Sequence, residues 1–180
     1  MIYTTNEILK IYKTKNMLSK AIYNKEIFRL DHGIYSEREF VDPMVFASKK
    51  YPNGIITLDS AFYYYDLTDV IANKAYLATS RNSNTINKNN IVQVWTAKDK
   101  LNQGKEKIII DGIAVNIYNK ERLLVELIRR RNQIPFDYYK EIILNYREIA
   151  DELDMCKIEQ YLSMYKNEYT LANVLLREVF

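Results

Sequence analysis

The feature that most constrains this chain lies in its first 36 residues, where two helices joined by a linker of almost no length are followed at once by a hairpin. Thr4-Thr5-Asn6-Glu7 has the Ser/Thr-x-x-Glu form of a capping box, in which a hydroxyl and a carboxylate satisfy the free amide donors of a helix start. Ile8, Leu9 and Tyr12 follow at helical spacing, so a short helix of about two turns is expected. Thr14 is placed to cap a second helix. There Leu18, Ala21 and Ile22 form an inner stripe, while Lys15, Asn16, Ser19, Lys20 and Tyr23 point elsewhere. Ile27-Phe28-Arg29-Leu30 then meets Ile34-Tyr35 across Asp31-His32-Gly33, where glycine supplies the positive φ that the bend requires. Helix, tight turn, helix and hairpin is the order of a winged helix-turn-helix.

Downstream, the pattern predicts a helix from Pro43 through Lys50, a join punctuated by Pro52 and Gly54, an apolar run Gly54 to Leu58, and a short helix around Ala61-Phe62. Ala75 to Thr79 and Ile91 to Trp95 alternate like half-buried strands, and Ile108 to Ile117 reads as a hairpin pivoting on Asp111-Gly112. Between the two strands, Ser80 to Asn90 is a polar run whose one apolar residue is Ile86; it is expected to be a protruding loop. A sheet of about four strands results. After Asn119 the texture becomes helical, with four helices expected through Leu123–Ile128, Tyr138–Leu153, Ile158–Tyr165 and Thr170–Phe180. The predicted fold class is therefore α+β. A winged helix-turn-helix over residues 1–40 precedes an α/β domain over 41–180, which has a small, mainly antiparallel sheet and C-terminal helices.

Composition narrows the chemistry. One cysteine, Cys156, and one histidine, His32, allow no internal disulfide and no Cys/His tetrahedral zinc site, and a reducing, cytoplasmic setting fits best. No apolar run approaches the ~20 residues that cross a bilayer, and Glu7 interrupts the start where an export signal needs an apolar core, so no membrane partner is expected. The glycines Gly33, Gly54, Gly104 and Gly112 stand singly, which leaves neither a phosphate-cradling loop nor a dinucleotide fingerprint. Basic against acidic residues number 7 and 5 over residues 1–40, 7 and 5 over 41–100, and 12 and 13 over 101–180, so the positive excess lies in the first half.

That excess coincides with the predicted helix-turn-helix. A helix entering the major groove needs small polar and basic side chains at its N-terminal end, and a wing needs a cation for flanking phosphates. Lys13, Lys15, Asn16, Ser19, Lys20, Tyr23, Lys25 and Arg29 are the candidate DNA contacts, with Asn16 and Lys20 reaching base edges and His32 placed for a phosphate. The plainer alternative is a solvated surface on a small module that grips protein. Arg129-Arg130-Arg131 is the densest basic triplet. Consecutive helical residues fan apart by about 100°, so it reads as charge compensation at a helix C-terminus. Asp59-Ser60 reads as a helix cap rather than a nucleophile, because the one histidine lies in the other module. The acidic residues near Asp66 and Asp151 read as solvated helix ends, with no metal or other cofactor expected, and Cys156 reads as core.

Taken together, the order of these pieces resembles the AbiEi family, the antitoxins of abortive-infection (type IV) toxin–antitoxin operons. The matching stretches include Tyr3 to Ile8, Leu18 to Ile22, Phe28 to Tyr35, Ile56 to Phe62 with Asp66-Leu67-Thr68, and Asp111-Gly112-Ile113 followed by Asn119 to Leu124. The resemblance implies a non-enzymatic transcriptional regulator. Its winged helix binds inverted repeats in its own promoter, and its C-terminal antitoxin domain counters a nucleotidyltransferase-fold toxin without requiring a stable complex. It marks Ser60, Glu121 and Arg122 as motif positions of the second domain, with no chemical role attached. Such proteins usually carry a helix ahead of the Thr-Thr-x-Glu segment, where this sequence has Met1-Ile2-Tyr3. Either the neighbouring domain covers the face that helix would cover, or the winged helix is degenerate and does not bind DNA.

Overall fold

The computed structural model describes residues 1–180. It opens with a strand that the helical reading missed: β1 (Ile2–Thr4), then α1 (Thr5–Tyr12), α2 (Lys15–Tyr23), β2 (Phe28–Asp31) and β3 (Ile34–Ser36). The predicted caps are made as expected. The Thr4 hydroxyl accepts from the Glu7 amide while the Glu7 carboxylate accepts from the Thr4 amide at 2.7 Å, and Thr14 accepts from the Met17 amide. β1 and β2 both pair antiparallel with β3, giving the order β1-β3-β2, with an irregularity between Arg29 and Asp31 and Gly33 at φ +77° in the turn.

The remainder runs α3 (Pro43–Lys50), β4 (Ile55–Ile56), α4 (Leu58–Tyr64), β5 (Ala75–Ser80), β6 (Ile91–Thr96), α5 (Lys98–Leu101), β7 (Lys105–Ile110) and β8 (Ile113–Tyr118). Four helices close the chain: α6 (Lys120–Arg130), α7 (Phe136–Glu148), α8 (Met155–Leu162) and α9 (Glu168–Glu178). The molecule is α+β. Its second sheet has five strands, ordered β6-β5-β4-β8-β7, and it is mixed rather than mainly antiparallel. β4–β5 and β7–β8 are antiparallel, but β5–β6 and β4–β8 are parallel.

Ser80 to Asn90 leads from the end of β5 through a largely exposed loop, as expected, and this loop is also the crossover that returns the chain so that β6 runs parallel to β5. Its flanks are exposed, but Ile86 is half-buried against the core. The Gln93 side chain pins the segment by accepting from the Ile86 amide and donating to Thr79 Oγ1 and the Asn84 carbonyl.

Two apolar clusters hold the chain. The smaller comprises Ile8, Leu18, Ala21, Ile27 and Tyr35, within the first sheet and its helices. Five buried side chains are few for an independent unit of this length. The neighbouring part supplies what is lacking: Ile2 of β1 and Ile34 of β3 join the larger core, with Met44, Val45 and Phe46 of α3. α3 thus packs the first sheet onto the larger core. No helix is long and apolar enough to cross a membrane.

Three local expectations are corrected. Cys156 is exposed rather than core, because the buried stripe of α8 is Ile158, Tyr161 and Leu162, and a residue two positions before Ile158 faces away from it. Ser60 does not cap α4. The cap position belongs to Thr57, and Ser60 Oγ instead donates to the Lys74 carbonyl and accepts from the Tyr76 amide, each at 2.9 Å, clipping the helix to β5. Arg129 and Arg130 do more than balance a helix end, since both reach back three or four residues to the Glu126 carboxylate.

Candidate nucleic-acid interface

All nine candidate contacts, Lys13, Lys15, Asn16, Ser19, Lys20, Tyr23, Lys25, Arg29 and His32, are exposed. On α2 their arrangement follows from helical geometry. With Leu18 and Ala21 buried, a rotation of about 100° per residue puts Asn16, Ser19, Lys20 and Tyr23 on the opposite side, and Lys15 at its margin in the first turn. Lys13 and Lys25 flank the helix at its two ends. Both adopt positive φ, 57° and 58°, a conformation non-glycine residues enter mainly where a helix must end abruptly. Arg29 projects from β2, and its Nη2 lies 3.4 Å from His32 Nδ1 at the hairpin turn.

The charges of this region are sorted. None of Lys13, Lys15, Lys20, Lys25 and Arg29 forms an ion pair. Two carboxylates of the same segment are instead tied to lysines of the second part of the chain. Glu7 bonds Lys49 of α3 at 2.7 Å, and Asp31 lies 2.8 Å from Lys88 of the crossover and 3.4 Å from Lys50 of α3. The Lys49 hydrogen bond, with the Thr4 amide, holds the Glu7 carboxyl down to about 2. Burial pushes Asp31 up, but the Lys88 bond, the His32 amide and the Lys50 charge outweigh it and bring the group to about 2 as well. These two carboxylates therefore stay ionised and paired inward at neutral pH, while the cations around α2 and the hairpin, with the exposed Glu26 beside Lys25, face solvent without ion pairs. Such a surface attracts a polyanion.

Glu121 and Arg122, singled out in the sequence, build structure instead. Glu121 accepts from the Asp154 amide at the start of α8. Arg122 is fully buried. Its guanidinium donates to Glu126 Oε1 at 2.9 Å, to the Tyr165 hydroxyl and to Met164 Sδ, and lies 5.1 Å from the centre of the Tyr118 ring. Tyr165 donates to the same Glu126 oxygen, and Arg129 and Arg130 take the other. Three guanidiniums thus share one carboxylate, which burial would raise but which the Arg129 and Arg122 charges hold well below its ordinary value.

Glu126 and Tyr165 carry this cluster, and sequence reasoning passed over both. The available signal was an Arg–Glu pair at i,i+4 on a helix with apolar residues on every side. No protein-family model and no curated protein matches the sequence.

Proposed function

We propose that this protein is a DNA-binding antitoxin of the AbiEi type, repressing its own promoter and counteracting a nucleotidyltransferase-fold toxin. In this reading residues 1–40 are a shortened winged helix-turn-helix and residues 41–180 the antitoxin domain. The order β1-α1-α2-β2-β3 with sheet order β1-β3-β2 supports it, since α2 then enters the major groove and the β2–β3 turn is the wing. The observation that carries it is the sorting of charge. The solvent face of α2 and its flanks hold Lys13, Lys15, Lys20, Lys25 and Arg29 unpaired, while Glu7 and Asp31 are drawn away onto Lys49, Lys50 and Lys88.

Asn16 and Lys20 take base edges, and the remaining cations take phosphates. No nucleophile–base pair supports an enzymatic reading: Ser60 is spent on the β5 backbone, and His32 lies at the exposed hairpin turn. The antitoxin role rests on the likeness of the Ile56–Phe62 and Asn119–Leu124 stretches to that family. A cytoplasmic location follows from the same reading. A mobility-shift titration with DNA from upstream of the gene tests the proposal. A saturable shift exceeding that of unrelated DNA is expected; equal retention of both, or of neither, contradicts it.

One observation favours a second reading, a winged helix that grips protein rather than DNA. Ile11, Met17 and Tyr23, on α1 and α2, are 55%, 49% and 88% exposed. Coelution with a protein partner together with indifference to DNA would establish it.

A further inference from the structure

We propose that the open cleft bordered by the α3–β4 turn, the β5–β6 crossover and α5 binds a phosphorylated small molecule of nucleotide size. Its volume is about 540 Å³, within the range of small-ligand sites. The wall carries two cations, Lys50 and Lys98, and no Asp or Glu, so its field favours an anion. Amides and hydroxyls supply most of the rest; Thr79, Ser80 and Ser83 are spent on bonds within the protein, and four others are not. The side chains of Asn53, Asn82, Asn84 and Thr85 make no hydrogen bond within the protein, and Lys98 has no ion pair. Donors spread over several walls suit a ligand with many oxygens, a phosphoryl group joined to a hydroxylated or heterocyclic body, better than a simple carboxylate.

The site is preformed. The three hydrogen bonds of Gln93 fix the crossover wall against β5. Gly54, at the floor, is held to a hydrogen side chain, because a Cβ there would stand 2.7 Å from the Leu77 side chain.

The same walls grip the hairpin turn between β2 and β3. The Lys50 ammonium donates to the His32 carbonyl and pairs with Asp31, and Lys88, carried by the crossover, pairs with the other Asp31 oxygen. A phosphoryl group in the cleft therefore competes with the turn for Lys50, so occupancy and the set of the hairpin are coupled. This inference goes beyond the DNA-binding reading and is measured without DNA.

Isothermal titration of the full chain with ATP and with ribose 5-phosphate, against adenosine and ribose, separates a nucleotide from a sugar phosphate. At least one phosphorylated probe is expected to bind saturably and its dephosphorylated counterpart more weakly. Lys98→Glu and Asn82→Asp, both at exposed positions, are each expected to weaken binding at least tenfold without lowering the unfolding midpoint. In amide NMR spectra the His32 and Gly33 signals are expected to shift as the probe is added. No saturable binding at millimolar concentration, equal binding of the dephosphorylated probes, or binding that both variants leave unchanged would overturn the site. Unmoved His32 and Gly33 signals at saturation would overturn the coupling.

Discussion

The carboxylate of Glu126 decides whether three guanidiniums can be kept together inside this protein. Arg122 has no exposed surface, its Nε has no partner, and its remaining donors depend on Glu126, Tyr165 and Met164. Burying a charge is tolerable only while the counter-charge is in place, and removing one partner of such a pair costs about 3–5 kcal/mol. Glu126→Gln keeps the shape and removes the charge, so urea unfolding is expected to show a loss of that order. A loss no larger than that of an exposed ion pair, under ~1 kcal/mol, would contradict the account. The cluster also explains why no catalytic role could be given to Arg122 from sequence: its distant partners Met164 and Tyr165 lie 42 and 43 positions away, in the turn that follows α8, and meet α6 only once the chain is folded.

Elements whose signals are local were legible. A capping box at Thr4, a hydroxyl at Thr14 and the Asp111-Gly112 pivot each act within a few residues, and α1, α2 and the β7–β8 hairpin form where those signals stand. Elements whose identity depends on distant partners were not. β1 is three residues long and becomes a strand only because β3 returns beside it, and the parallel pairing of β5 with β6 depends on the route of the crossover. The candidate interface was legible for a similar reason, since its residues lie within twenty positions and one helix turns most of them outward. The inward pairing of Glu7 and Asp31 was not, because Lys49, Lys50 and Lys88 come from far along the chain. The β2–β3 turn gives a prediction on this scale. Gly33 sits at φ +77°, and a Cβ there would come no nearer than 3.4 Å to any neighbour, Thr5 Oγ1, so the cost of Gly33→Ala is conformational. A destabilisation of about 1 kcal/mol by chemical denaturation is expected, and an unchanged midpoint would contradict it.

Across the whole molecule, the first sheet and its helices are joined to the rest by a shared apolar core and by carboxylates that bridge to α3 and the crossover. Glu7 and Asp31 have folded values lowered to about 2 from 4.5 and 3.8. A lowered carboxyl contributes stability that is complete above its unfolded value and lost as pH falls through the folded one. Stability is therefore expected to drop between about pH 4.5 and pH 2, and the double variant Glu7→Gln, Asp31→Asn to show a shallower drop when unfolding midpoints are followed against pH. Parallel acid limbs would show that these pairs contribute nothing.

The inward pairing of those carboxylates leaves the outer cations free to replace counterions on a duplex, and each phosphate contact adds about 0.9 to the steepness with which log affinity falls with log salt. Fluorescence anisotropy of labelled upstream DNA, titrated at several salt concentrations, measures that slope directly. The chain is predicted to bind with a steep negative slope, and Lys20→Ala and Arg29→Ala to weaken binding, the slope easing by about 0.9 where the lost contact is to a phosphate. Affinity that is indifferent to salt, or that both substitutions leave unchanged, would contradict the assignment of this surface to DNA.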